Sequence, residues 1–361
     1  MNTELDNNSK LYYDTVRFTT SSEYITLITG NESLFKHEVD IETGELKSIE
    51  FNSRSNSINR DKIPFSLYIR ANMQSRKMTI EFSSKLLLED YPLLISEDTF
   101  PQALQNMERL GICILDIESI TKDCKFNKLH LTKDIDMKLT ENILNSLNLC
   151  TGNYRKRTWK YYEGESICFK KDVKTKDCKE ELNIYNKEKE IQTTKNKAFL
   201  KMTGNAEKII SYYKNKTRFE LKMESIRKIK QKLKITDTSL HSVMRGNPDI
   251  LLEQFDDIFT SSTNNKATDK RLIDSIGDYG LYNTLRYHNF DLKKVEQEIK
   301  DLGVYGSQSR AALSRQMKKL KQMLHTWSEQ NIQSNSIIDS IRNKLADKND
   351  KRYDEPPDIA C

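Results

Sequence analysis

The sequence predicts an α+β protein: a β-rich domain over residues 11–235, an antiparallel sheet with flanking helices, followed by an all-α domain over 236–345. Three observations predict it. Short β-branched and aromatic runs alternate with polar residues through much of the first 235 positions, the apolar period turns helical near Thr236, and no comparable strand pattern recurs after that point. A chain of 361 residues has room for both domains and for a core of respectable size.

The first strand is read from Tyr13, Thr15 and Arg17 set against Tyr12, Val16 and Phe18, and further strands from Tyr24–Ile28, Phe35–Ile41, Glu45–Phe51, Phe65–Ala71 and Lys77–Phe82. Asp40-Ile41-Glu42-Thr43-Gly44-Glu45 reads as a hairpin turn. Phe100, Leu104, Met107 and Leu110 share one helix face, and Gly111 is placed to stop that helix. Strands return at Cys124–Leu131, a helix follows over Met137–Leu149, and Ser166–Phe169 and Glu181–Asn186 are strands again. Glu188–Tyr213 reads as a long basic helix, or a helix pair interrupted near Gly204, and Thr217–Glu224 as a half-buried strand. Beyond it come helices over Ser239–Met244, Pro248–Phe259, Lys270–Tyr287, Leu292–Leu302 and Ser307–Gln330, a flexible loop at 261–265, and a disordered tail over 346–361.

Composition narrows the function classes. Lys+Arg 59 against Asp+Glu 53 leaves a net charge of only +6, so the distribution of charge says more than its sum. One basic run spans Lys187–Lys234 and is interleaved with Tyr212, Tyr213 and Phe219; a second comprises Arg310, Arg315, Lys318, Lys319 and Lys321. A solvated helix face explains either run alone, whereas cations interleaved with rings suit phosphates and stacked bases. The six cysteines form no C-x-x-C pair and no metal-ligand spacing with the five histidines, and read as reduced. No apolar run has the length of a membrane span and the N-terminus has no secretory core, which places the protein in the cytoplasm, away from membranes.

Four segments can carry chemistry. Glu181–Glu190 is a strand running into a basic helix, where Tyr185 lies two residues from Lys187; a cation beside a phenol lowers the cost of a phenolate that attacks phosphorus. Arg218, Glu220 and Lys222 share one face of a strand, as a carboxylate that binds a metal and two cations that hold a phosphodiester would. An ordinary cross-strand salt bridge accounts for the same three residues. Lys128, His130 and Thr132 share another strand face, and Thr79–Leu87 is a strand ending in a polar turn that holds Lys85.

Taken in order, these segments resemble the filamentous-phage gene II/X (CRI) replication-initiation proteins and their relatives on phage and plasmid elements. Tyr13-Asp14-Thr15-Val16 resembles the family's N-terminal strand with an Asp, and Glu81-Phe82-Ser83-Ser84-Lys85 resembles its E-x-S-x-x-K segment. Tyr185-Asn186-Lys187-Glu188-Lys189-Glu190 fits its Tyr-x-Lys-x-x-Glu segment, and Arg218-Phe219-Glu220 its R-F-E strand. Where the family has R-I-D, this chain has Lys128-Leu129-His130: either His130 replaces the aspartate, or Asp134 or Asp136 does so from a shifted register, or the metal site is impaired.

The resemblance implies an HUH-related nicking and rejoining enzyme that starts rolling-circle DNA replication. Tyr185 would take the 5′ phosphate of single-stranded or melted origin DNA and leave a 3′ hydroxyl as primer, with Lys187 beside it, Glu220 and His130 holding Mg²⁺ or Mn²⁺, and a host helicase and polymerase as partners. Arg218, Lys222, Lys128 and Lys85 would hold flanking phosphates. Covalent storage of the phosphoester needs no ATP, and the chain has no GxxxxGK[ST] loop. Leu302–Arg310 leading into Arg315, Lys318 and Lys319 reads as a helix-turn-helix for origin choice or as a plain bundle corner, since Leu313, Met317, Leu320 and Leu324 account for the helix as a core element. The rival from another class is a non-catalytic origin- or RNA-binding protein using the same basic surface.

Overall fold

Among the described residues, ten of twelve strands form one antiparallel sheet. The computed structural model describes residues 10–149, 157–162, 164–171, 180–259, 275–288, 292–303 and 310–347. The strands are β1 (Tyr13–Ser21), β2 (Ile25–Leu27), β3 (Lys36–Val39), β4 (Leu46–Asn52), β5 (Leu67–Asn72), β6 (Lys77–Ser83), β7 (Cys113–Leu115), β8 (Lys125–Asp136), β9 (Arg157–Tyr162), β10 (Ser166–Lys171), β11 (Glu180–Asn186) and β12 (Lys216–Met223). The large sheet runs β3-β4-β5-β6-β1-β8-β12-β11-β10-β9, and β2 pairs with β7 in a small second sheet. Its central strands β1, β8 and β12 come from distant parts of the chain, so the middle of the sheet gathers residues from both of its halves.

One face of the sheet is apolar because alternate residues of each strand are. Phe18, Phe82, Phe126 and Phe100 meet there, with Phe18 5.3 Å from Phe100 and 5.6 Å from Phe126 between ring centroids. Phe100 belongs to the helix Thr99–Arg109, whose Phe100, Ala103, Leu104 and Met107 are all buried, as the helical spacing predicts. Gly111 follows at φ +67, a left-handed conformation in which a side chain would be strained. The opposite face is polar, and part of it is covered by the segment Ser84–Leu93 and by the short helices that follow β11.

Three expectations are corrected. The basic stretch after β11 is not one long helix but Lys187–Ile191, a 3₁₀ turn at Thr194–Asn196, Lys197–Thr203 and Ala206–Tyr212, with Gly204 at φ +69 ending the third piece. Asn196 causes the earlier break: it is fully buried and its Nδ2 donates to the Glu190 carbonyl at 2.7 Å, which holds the chain in a turn. Arg157–Tyr162 is a strand that the sequence reading passed over, and the last helix runs from Arg310 to Ala346, well past Gln330. The loop at 261–265 and all but the first two residues of the tail lie outside the described residues.

The chain divides into two compact units: the described residues of 1–139, 156–254 and 345–361 in one, and those of 140–155 and 255–344 in the other. The sheet unit thus extends past the change of period at Thr236, because the residues after it bond to the central strands. The Tyr13 hydroxyl donates to the Val243 carbonyl at 2.7 Å, and the Phe126 N–H donates to the Thr238 carbonyl at 2.9 Å. Gly246 fits closely here, since a Cβ on it would lie 2.9 Å from the Leu233 Cβ. In the second unit Leu285, Val295 and Leu320 form a buried cluster against which Met317 packs, so the long helix is a core element, as its apolar spacing suggests.

Tyr13→Phe is expected to destabilise the chain by about 1–3 kcal/mol in urea unfolding, because it leaves the buried Val243 carbonyl without its donor. Unchanged stability would mean that Val243 finds another partner.

Candidate active site on the polar face of the sheet

Cross-strand register places the predicted site residues on one face. Across β8 and β12, Asp134 faces Arg218, Thr132 faces Glu220 and His130 faces Lys222; across β11 and β12, Tyr185 faces Arg218 and Asn183 faces Glu220. Thr15 of β1 faces His130 on the other side. Phe219, Leu221, Ile184, Leu182, Leu129 and Leu131 alternate with these residues into the core.

Arg218 lies at the centre, with its side chain 0% exposed. Its Nε and Nη2 donate to the two carboxylate oxygens of Asp134 at 2.7 and 2.8 Å, its Nη1 to Asp14 at 2.8 Å, and its Nη2 also to the Tyr213 hydroxyl at 3.2 Å. Asp14 reaches it because β1 changes register against β8 between Tyr13 and Thr15. An irregularity of this kind re-aims a side chain, and both Asp14 and Thr15 line the cleft described below. Expected to hold a phosphate, Arg218 is instead buried and bonded to two acids, and it is not among the residues that line the cleft.

Tyr185, Glu220 and His130 form a chain of contacts beside it. The Tyr185 hydroxyl donates to Glu220 Oε2 at 3.0 Å, and Glu220 Oε1 lies 3.2 Å from His130 Nδ1. Burial opposes ionisation of Glu220, but His130, Lys222 and Arg218 outweigh it and hold the carboxyl down at about 2. Burial, with the Glu220 charge added, pushes the Tyr185 phenol well above its ordinary value, and Arg218 offsets this only in part. His130 Nε2 is buried without a hydrogen-bond partner.

Lys187 is nearby, though not where the sequence suggested. It is 2% exposed; its Nζ donates to Glu190 at 2.6 Å and to the Tyr91 hydroxyl at 2.7 Å, and lies 5.3 Å from the Tyr91 and Tyr213 rings and 5.9 Å from the Tyr185 ring. The ammonium thus braces three rings. Glu190 in turn accepts from Asn196, whose Oδ1 accepts from Lys85 Nζ at 2.6 Å. Burial brings the Lys85 pKa down to about 8, against the pull of Glu190.

These groups open onto a cleft of about 920 Å³ lined by Asp14, Lys85, Tyr185, Lys187, Glu220 and Lys222 among others. Eight of its lining residues are Lys or Arg and five are Asp or Glu, so it favours an anion. Lys222 is 28% exposed at its side chain and is shared between Glu181 at 3.1 Å and Glu220 at 3.8 Å. Lys128 is tied to Glu81 at 2.6 Å and is not among the cleft residues. The basic run as a whole is no continuous solvated strip, since Lys228 pairs with the buried Glu180 at 3.3 Å and Lys216 with Asp136 at 2.6 Å. Arg315, Lys318 and Lys319 are exposed on the last helix of the second unit, Lys319 pairing with Asp278 at 2.8 Å; the side chain of Arg310 lies outside the described residues.

The alternatives for a metal site can now be compared. Asp134 is held by Arg218, and Asp136 is four residues along β8 from Thr132, the partner of Glu220, roughly 13 Å away at strand spacing. His130 alone of the three adjoins Glu220. Among the described residues no three His, Cys, Asp or Glu side chains gather as a metal site. The His130 nitrogen beside Glu220 is Nδ1, at 3.2 Å from Oε1, and the unpartnered one is the buried Nε2, so a divalent cation held by this pair would have to take the place of the Nδ1 contact, with water completing the shell.

Comparison with known proteins finds no matching family model, no matching curated protein and no matching solved structure.

Asp134→Asn is expected to destabilise the chain by about 3–5 kcal/mol, because it weakens the pairing of a buried guanidinium; denaturant midpoints measure it. Acid should act through Glu220 and Glu181, both held at about 2. A carboxyl whose folded pKa lies below its unfolded value stabilises the fold above the unfolded value of 4.5, and that contribution disappears as pH falls towards 2. Melting temperatures should therefore be level above pH 5 and fall below it, and less steeply in Glu220→Gln.

Proposed function

We propose that the chain is a nicking and rejoining enzyme of the rolling-circle initiation type, acting on single-stranded or melted origin DNA through Tyr185. The observation that carries this reading is that Tyr185 lines a cation-rich cleft and its hydroxyl is bonded to the ionised carboxylate of Glu220. A second observation supports it. Asp14, Ser83, Lys85, Tyr185, Glu190 and Glu220, which belong to the segments that resemble the gene II/X family, all line that cleft although Asp14 and Glu220 are far apart in sequence.

In the nicking step the Tyr185 oxygen forms a bond to phosphorus as the bond from phosphorus to the 3′ oxygen breaks. The phenol proton passes to Glu220, and the leaving oxygen takes a proton from water in the open cleft, giving a 5′-phosphotyrosyl chain and a free 3′ hydroxyl. Reversal with a new 3′ hydroxyl rejoins the strand and regenerates the phenol. Glu220 and His130 would hold Mg²⁺ or Mn²⁺, which supplies polarisation of a non-bridging phosphate oxygen. Lys222 and Lys85 face the flanking phosphates, and Lys187 keeps the Tyr185 ring in place. A host helicase and polymerase would open the duplex and extend the primer.

The rival is a non-catalytic DNA- or RNA-binding protein, and the raised pKa of the Tyr185 phenol favours it. Incubation with labelled single strands carrying the origin, with Mn²⁺, separates the two. Wild-type protein is expected to give an adduct that survives denaturation; Tyr185→Phe should lose it while binding the strand within about threefold, since only one hydroxyl is removed. Glu220→Gln should slow adduct formation by about 100-fold or more, and His130→Ala should raise the metal concentration needed. An adduct formed by Tyr185→Phe would rule out this nucleophile, and none from the wild type would select the rival.

A further inference from the structure

We propose that Tyr162 is a stacking platform for an unpaired base beside the phosphate at Tyr185, and so makes the cleft select single strands over duplex. The proposal rests on the reading of the cleft as a polynucleotide site. Tyr162 ends β9 and faces Ser166 of β10, which faces Tyr185 of β11. The three side chains therefore share one sheet face in a single row, all three line the cleft, and the two tyrosines stand two strand spacings apart, roughly 9.6 Å at the backbone.

Exposure sets Tyr162 apart from the other rings there. Of the aromatic residues lining the cleft, Phe65 and Tyr91 are buried, Tyr185 is half-buried and bonded to Glu220, and Tyr162 is 48% exposed. A ring left half in water at the rim of a cationic cleft offers a face to a base while the lysines hold the phosphates. Its position is also fixed with respect to the nucleophile. The Glu165 N–H donates to the Tyr162 carbonyl at 3.1 Å, the Asn186 N–H to the Glu165 carbonyl at 3.3 Å, and Lys189 Nζ to the Gly164 carbonyl at 3.1 Å. The turn after Tyr162 is thus tied to the residues that follow Tyr185, which spares the cost of ordering it on binding.

A single strand can offer an open base face to this ring. In a duplex both faces of each base are already stacked, so contact requires unstacking first. The contact is also indifferent to base identity, which leaves origin choice to other residues.

The test measures binding in the Tyr185→Phe background to a short oligothymidylate, to an abasic strand of equal length and to a duplex. Replacement of Tyr162 by Leu should weaken oligothymidylate binding about 5- to 150-fold, the range that base stacking on an aromatic ring spans, and leave the abasic strand and the duplex unchanged. Tyr162→Phe keeps the ring and should bind oligothymidylate like the parent. Equal weakening on the abasic strand overturns the proposal in favour of a structural role, and weakening by Tyr162→Phe as large as that by Tyr162→Leu overturns it in favour of a role for the hydroxyl. If the parent binds oligothymidylate with no dependence on residue 162, the proposal alone fails; if the parent binds no single strand, the reading of the cleft fails with it.

Discussion

Arg218 is fully buried, and a guanidinium taken out of water costs several kcal/mol unless carboxylates and hydrogen bonds replace what it loses. The polar face of the sheet is arranged around that requirement. Asp134 supplies a two-point partner from β8, Asp14 a second charge from β1, and Tyr213 a hydroxyl from the segment that covers the face. One side chain thereby ties three adjacent central strands to their cover. Arg218 also helps to keep Glu220 ionised, after the larger effects of His130 and Lys222.

The same burial sets the terms of any chemistry at Tyr185. Burial raises the phenol well above its ordinary value while His130, Lys222 and Arg218 hold its acceptor low, so complete proton transfer before attack carries a large cost. Too large to precede the reaction, that transfer has to accompany formation of the oxygen–phosphorus bond, when the phenol oxygen loses electron density and its proton becomes acidic. Lys187 does not relieve the gap, because its ammonium lies against the rings and bonds to Tyr91 and Glu190. It stands among three rings, 5.3 Å from those of Tyr91 and Tyr213 and 5.9 Å from that of Tyr185.

Much of the architecture was legible in the sequence because it follows from period. The strand pattern of β1, β6, β8, β11 and β12 and the helix Thr99–Arg109 carry regular alternation or helical spacing, and the placing of Arg218, Glu220 and Lys222 on one strand face needed nothing more. What depended on tertiary partners was not legible. That Arg218 is buried and Lys222 partly open is decided by Asp134 and Asp14, and Asp14 reaches the site only through an irregularity that strict alternation hides. The aromatic and β-branched run Arg157–Tyr162 was a usable strand signal, and pairing it with Ser166–Lys171 would have put Tyr162 in the same row as Tyr185.

The position of the cleft follows from where the cover ends. Tyr91, Phe199 and Tyr213 pack on one another over Arg218, with Tyr91 5.2 Å from Phe199 and 5.6 Å from Tyr213, and close that part of the face to water. Towards β10 and β9 the packed rings give way to the exposed Tyr162, and Ser166, Cys168 and Lys170 present a polar floor. Tyr185 stands at the junction, its ring braced by the closed side and its hydroxyl bonded to Glu220. A reacting group gains from that placement, since the closed side fixes its geometry while the open side admits a long anionic chain without having to close around it. Under the proposed function the surplus of cations over acids along the cleft would be matched by the phosphates of such a chain, whereas a cleft built only for internal ion pairs would need no surplus at all.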